Sequence, residues 1–218
     1  VAMAALTCGR IGNEINLLEK TEFSELSEGF TMGMIGSSTM PHKRNPNVAE
    51  SVVALSKIVK ANMNLTLESM LIDNERDASS WKIEWFSLRD AMITGGACVE
   101  KCLKLVTDLD VHPEKMWDNL QLLKGLIYSE KVMLLLGEKL GKQTAHEIIY
   151  EIAMHSYEQG KDFEQLLLED ARVADKLSKE ELDQCMDPEL YLGQCKTCST
   201  AVLNEIQEFV RWKNEHSA

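Results

Sequence analysis

Apolar residues recur at helical spacing along most of this chain. Ala2, Ala5, Leu6, Ile11, Ile15 and Leu18 predict the end of a long helix over residues 1 to about 21. Residues 22–35 lose the period, and Glu22, Glu25, Ser27, Glu28 and Gly29 read as connection. A second long helix is predicted from Asn47 to about Ile72, where Val48, Val52, Leu55 and Val59 step by four, three and four. Asp73-Asn74 breaks the pattern. A third helix over about 79–108 carries Met92, Val99, Leu103 and Val106 on one stripe. Gly95 and Gly96 in its middle predict a close helix approach or a bend.

After Asp110 the elements shorten. Pro113 suits a first helical turn. Further helices fit 126–140, 142–159 and 162–169. Ser178-Lys179-Glu180-Glu181 has the capping-box pattern, Asp187-Pro188 reads as another start, and a last helix covers about 193–212. No stretch alternates apolar and polar residues, so strands are essentially absent. The pattern predicts an all-α protein: part of a long-helix bundle over 1–110, carrying a special loop at about 30–47, then a helical C-terminal domain over 111–218.

Composition narrows this picture. The 218 residues suffice for one or two domains with a core, and only 4 prolines and 12 glycines favour long elements. A net charge of -12 argues against nucleic acid as a partner, because phosphate binding needs a basic surface. No run approaches the roughly 20 apolar residues that span a bilayer, and no secretory signal is visible. Val1 falls inside an apparent helix without an initiator Met, which predicts a piece of a longer protein. Cys195 and Cys198 have the CxxC spacing of metal or redox sites. No second pair completes a zinc site, so the six cysteines read as small core residues of a reduced, cytoplasmic protein.

The densest chemistry lies in Gly36-Ser37-Ser38-Thr39-Met40-Pro41-His42-Lys43-Arg44-Asn45-Pro46, with Glu50 beyond. It is too polar for core. Gly33 and Gly36 permit backbone angles other residues avoid, and Pro41 and Pro46 forbid a helix between them. Hydroxyls, Lys43, Arg44 and an amide in that frame suit a substrate with several carboxylates. The plain alternative is a serine-rich cap before the helix at 47, which does not require Lys43, Asn45 and Glu50 at these spacings.

The run GSSTMPHKRNPxxxE resembles the signature loop of the fumarase/aspartase superfamily, GSSxMPxKxNPxxxE, at every fixed position. The resemblance implies a β-elimination or its reverse next to a carboxylate. It implies Ser37 as the catalytic serine, with Ser38, Thr39, Met40, Lys43 and Asn45 at the substrate. A serine hydroxyl needs nearby cations or backbone N–H groups to act as a base. His42 and Arg44 occupy variable positions, and His112, His146, His155 and His216 show no partner pattern and read as surface residues. The superfamily also uses a histidine from a region upstream of this chain.

A second stretch, Glu75-Arg76-Asp77-Ala78-Ser79-Ser80-Trp81-Lys82-Ile83-Glu84-Trp85, resembles the ERD-type start of adenylosuccinate lyases. Their phosphate-holding serine and arginine fall on Trp81 and Trp85, which cannot bind phosphate as an arginine fork does. W-x-x-E-W, the DPxxYLGQ run at 187–194 and the stretch 119–126 instead resemble 3-carboxy-cis,cis-muconate cycloisomerases. Arg76, Trp81 and Trp85 are therefore candidate substrate contacts; an ion pair and plain packing are their structural alternatives. The implied activity is lactonisation of a polycarboxylate, with adenylosuccinate lyase or another fumarate-releasing C–N lyase of N-succinyl substrates as the alternative, and a non-catalytic structural relative as a third. The implied assembly is a homotetramer whose active sites draw on three subunits. No metal or organic cofactor is implied.

Overall fold

The computed structural model describes residues 1–29, 39–40 and 43–216. They form two compact units, Val1–Asn119 and Leu120–Ala218. The first is built on α1 (Ala2–Leu18), α2 (Asn47–Glu68) and α3 (Ala78–Thr107). Gly9 faces Ser56 and Gly12 faces Ala49, so α1 and α2 run antiparallel. The Thr66 and Ser87 hydroxyls are 2.9 Å apart and Cys98 Sγ lies 3.6 Å from the Val52 carbonyl, so α3 runs antiparallel to α2. The three therefore run up, down and up. A two-residue antiparallel pair, β1 (Leu26–Ser27) with β2 (Asp110–Val111), ties the α1–α2 connection to the end of α3 in the register Leu26 to Val111. It falls where the sequence reads as connection, because two residues are too few to show an alternation.

The expected stripe on α2 is the one that packs, whereas on α3 the buried line is a different one. On α3 the buried residues are Ser80, Ser87, Ala91, Gly95, Cys98, Cys102 and Leu105. Met92, Val99, Leu103 and Val106, which share the apolar stripe read from the sequence, are exposed, Met92 by 55% and Leu103 by 65%. On α2 the most buried line is Ala49, Val52, Ser56 and Val59, with Val48 and Leu55 beside it. On α1 it is Ala5, Gly9, Gly12 and Ile15. Small residues win the seam because the backbones approach too closely for anything larger. A Cβ on Gly9 would collide with the Ser56 side chain, and one on Gly95 would lie 2.7 Å from a Val1 methyl. Gly95 thus permits close approach; a Cβ on Gly96 would meet nothing within 4 Å.

The second unit follows α4 (Pro113–Leu120), whose first seven residues belong to the first. It holds α5 (Ser129–Leu140), α6 (Lys142–Gln159), α7 (Phe163–Glu169), α8 (Ala171–Ala174), α9 (Lys179–Met186) and α10 (Cys195–His216). Its core is large: Val132, Leu136, Ile148, Ile149, Ile152, Phe163, Leu167, Val173, Leu177 and Leu182. Caps set several boundaries. The Ser178 hydroxyl accepts from the Glu181 amide while the Glu181 carboxylate accepts from the Ser178 amide, a complete capping box. Asp162 and Asp170 cap α7 and α8. Every described residue of α10 is exposed, including Val202, Leu203, Ile206, Phe209 and Val210.

All six cysteines are free. Cys98, Cys102 and Cys185 are buried, as small core residues should be. Cys195 and Cys198 are exposed at the start of α10 and are not core. Burial pushes the thiols of Cys98 and Cys102 up, Cys102 to about 11 with Cys8 adding to the effect.

Candidate active site

The described signature-loop residues sit at one end of the first unit, where α1 ends, α2 begins and α3 ends. Lys43 N–H donates to the Met40 carbonyl at 3.0 Å, and Asn47 N–H to the Asn45 carbonyl at 2.8 Å, so Asn45-Pro46 turns straight into α2. Pro46 is the N-cap and offers no side-chain acceptor. That need is met from a distance: the Glu28 carboxylate accepts from the amides of Ala49 at 2.6 Å and Val48 at 3.2 Å. A carboxylate at a helix N-terminus also meets the positive end of the helix dipole.

Met40, Lys43 and Arg44 line a cleft of about 500 Å³ with Glu19, Thr21, Ser24, Leu26, Ser27 and His112. The size suits a small-molecule ligand. Its wall is a hydrogen-bonded frame. Ser24 adopts a left-handed backbone with φ 52°, which turns its carbonyl toward His112. His112 Nδ1 lies 2.9 Å from that carbonyl, which can only accept, so Nδ1 carries the proton. The other ring nitrogen, Nε2, lies 3.3 Å from the Ser27 hydroxyl. The Asn119 side-chain amide donates to the Phe23 carbonyl at 2.9 Å and to Glu25 Oε1 at 2.7 Å.

His112 is thus half-buried with both nitrogens engaged, not the surface residue the sequence suggested. Its partners lie 85 and 88 residues away, beyond any local pattern. Burial pushes the Glu19 carboxyl above its ordinary value, and the charge of Glu28 adds to the rise. The Glu28 amide, donating to Glu19 Oε2 at 3.1 Å, and the Arg44 charge pull the other way.

Two cations, three hydroxyls and a shielded carboxyl in one cleft can hold a small polycarboxylate and stabilise a developing anion. Because Glu28 occupies two amides of the α2 N-terminus, the side-chain cations are the stronger source of that stabilisation. Thr39 and Asn45 flank the cleft residues in sequence without lining it. Ser37 and Ser38 lie outside the described residues, as does His42. Among the described residues no group of three or more His, Cys, Asp or Glu side chains gathers where a metal ion could be held. Nor is any described helix long and apolar enough to cross a membrane.

Arg76, Trp81 and Trp85 are elsewhere. Arg76 is exposed in the turn before α3, with a left-handed φ of 60°. Trp81 and Trp85 follow on the first turns of α3, stacked with ring centroids 6.4 Å apart and exposed by 45% and 68%. This cluster lies past the C-terminal end of α2, and the cleft lies at its N-terminal end. The 22 residues of α2 span about 33 Å. One chain does not bring the two clusters together.

Comparison with known proteins places this geometry. A family model described as "Lyase" matches residues 1–60, and one described as "Adenylosuccinate lyase C-terminus" matches 125–202. An N-acetyl-S-(2-succino)cysteine lyase from Dickeya dadantii is 42% identical over 187 residues, covering 86% of this chain and 41% of that protein. A 3-carboxy-cis,cis-muconate cycloisomerase from Pseudomonas aeruginosa is 31% identical over 205 residues, covering 94% and 45%. The crystal structure of 3-carboxy-cis,cis-muconate lactonizing enzyme from Pseudomonas putida superposes with a TM-score of 0.84 at 29% identity, covering 96% of this chain and 46% of that one. The chain spans less than half the length of the curated relatives it matches.

Proposed function

Since the chain belongs to the fumarase/aspartase superfamily of lyases, we propose that it supplies part of the active site of an enzyme that eliminates fumarate from a succinyl-substituted substrate. The observation carrying this reading is the convergence of Met40, Lys43 and Arg44 on the cleft beside Glu19 and His112. The likeness to the Dickeya lyase favours a thioether substrate, an S-(2-succino) compound. Ser37 takes the proton from the carbon next to one carboxylate. The electron pair first resides on that carboxylate as a dianion, held by Lys43; the resemblance adds Ser38, Thr39 and Asn45 of the same loop. The pair then forms the double bond as the carbon–sulfur bond breaks, the sulfur leaving with its electrons as a thiolate. The products are fumarate and a thiol.

Arg76, Trp81 and Trp85 contact substrate at a site completed by another copy of the chain, since α2 separates them from their own cleft. A homotetramer with shared sites meets that requirement, and it buries the exposed apolar faces of α2 and α3. Six free thiols suit a cytoplasmic location.

The fold match to the lactonizing enzyme favours a second reading, cycloisomerisation of a carboxymuconate. There an internal carboxylate adds across the double bond, and the proton is delivered next to another carboxylate. The deciding assay offers the whole protein N-acetyl-S-(2-succino)cysteine, adenylosuccinate and 3-carboxy-cis,cis-muconate in parallel, followed by ultraviolet absorbance. Fumarate from the thioether is expected. Loss of the muconate absorbance alone establishes the second reading. Turnover of adenylosuccinate alone would show that phosphate is held by residues other than those at 81 and 85. Ser37→Ala is expected to remove most turnover and leave assembly intact; near wild-type turnover takes Ser37 out of the mechanism.

A further inference from the structure

Glu28 lies outside the signature motif, in a stretch whose sequence shows only connection. Its carboxylate nevertheless ends on the first turn of α2, Oε1 on the Ala49 amide and Oε2 on the Val48 amide. Its own amide is fixed in turn, donating to Glu19 Oε2 at 3.1 Å. The side chain is half-buried, and Pro46 offers no competing cap. Val48 follows Asn45 by three residues, and Ala49 follows Lys43 by six. The backbone between them is short and turned by the Asn47–Asn45 and Lys43–Met40 hydrogen bonds. Fixing the start of α2 therefore fixes where Lys43 and Asn45 begin.

We propose that Glu28 is a positioning residue for catalysis: its bidentate grip on the Val48 and Ala49 amides sets the placement of Lys43 at the cleft and of Asn45 next to it in the chain. The assignment rests on the lyase reading above. Glu28 touches no substrate. It acts through the helix start, and Glu19 acts through Glu28. The chemistry explains why a glutamate serves here. The cap must reach across from another segment, which needs a long side chain, and it must satisfy two amides at once, which needs two acceptor oxygens.

The test compares wild type, Glu28→Ala and Glu28→Gln in the whole protein, by steady-state kinetics on whichever substrate the panel identifies and by hydrogen–deuterium exchange of the peptide covering residues 43–52. Glu28→Ala is expected to speed exchange at Val48 and Ala49. It should lower kcat/KM by about 10²-fold, the scale of an ångström-level misplacement, mostly through kcat because the cations still meet the substrate carboxylates. Glu28→Gln keeps one acceptor oxygen and should recover part of both. Faster exchange with unchanged kinetics would reduce Glu28 to a structural cap and overturn the proposal. Unchanged exchange would overturn the grip itself. A wild-type protein inert toward the whole panel would sink the lyase reading and Glu28's catalytic assignment with it, while the exchange comparison still decides the grip.

Discussion

Helices α5–α9 of the second unit and the three long helices of the first put their large apolar side chains in opposite places. Helices α5–α9 are conventional: Phe163, Leu136, Leu167 and Leu182 are fully buried, and the charged groups lie outside. The first unit packs Gly9, Gly12, Ala49, Ser56, Ala91, Gly95 and Cys98 between its helices and turns Met92, Ile93, Val99 and Leu103 outward. Helical periodicity reports that a helix has an apolar face. It does not report whether that face meets the same chain or another one. The second unit is stabilised by volume, the first by the closeness of its backbones and, on our reading, by apolar faces that further subunits cover.

Substitutions can break this contrast at either end. Phe163→Ala should cost about 3–5 kcal/mol in denaturant unfolding of the second unit, because the ring fills a site with no solvent to collapse into. A cost below about 1 kcal/mol would show that core to be loosely packed. In the first unit adding volume should hurt. Gly9→Ala forces its new methyl into Ser56 and should cost about 1–3 kcal/mol, with part recovered by adding Ser56→Gly. No cost would mean that the α1–α2 seam is not tightly spaced.

Acid should separate the units at particular carboxyls. The Arg172 side chain hydrogen-bonded to Asp170 holds that carboxyl below its ordinary value of 3.8. The pair therefore stabilises the second unit above that pH and loses its contribution as pH falls through the lowered value. Arg172→Met should cost about 0.2–1 kcal/mol at neutral pH, and the difference should close in acid. Glu19 shifts the other way, raised above 4.5 chiefly by burial. Its ionisation costs the folded first unit stability, a cost absent below 4.5 and complete once pH passes the raised value. Glu19→Gln should remove it; unfolding titrations of unchanged shape would refute both assignments.

The smallest effect on unfolding is expected at the outer face. Leu103→Ser should change the stability of an isolated chain by no more than about 0.5 kcal/mol, while lowering the assembled mass measured by sedimentation. An unchanged mass would mean that Leu103 faces water rather than a partner.

The sequence shows some of this plainly and hides the rest for physical reasons. The helices are legible because 3.6-residue periodicity, Ser178-x-x-Glu181 and Asp187-Pro188 are local signals. Lys43 stands in the cleft to which the polar loop sequence points, while Asn45 does not line it. The α3 seam is only partly legible: Gly95 signals close approach, but Cys98 carries a weak hydrophobic signal while Met92 and Leu103, which carry the strongest, face outward. His112 and Glu28 are not legible, since the first meets Ser24 and Ser27 across the chain and the second caps a helix 20 residues on. The separation of Trp81 from Lys43 follows only from the length and direction of α2.

The placement of the thiols gives the molecule two tiers of labelling chemistry. Alkylating reagents attack thiolates, and at neutral pH the buried thiols of Cys98 and Cys102 carry almost none. Cys195 and Cys198 stand open at the start of α10. A maleimide dye would therefore mark the final helix ahead of Cys98 and Cys102, giving an optical probe of whatever comes to cover that helix.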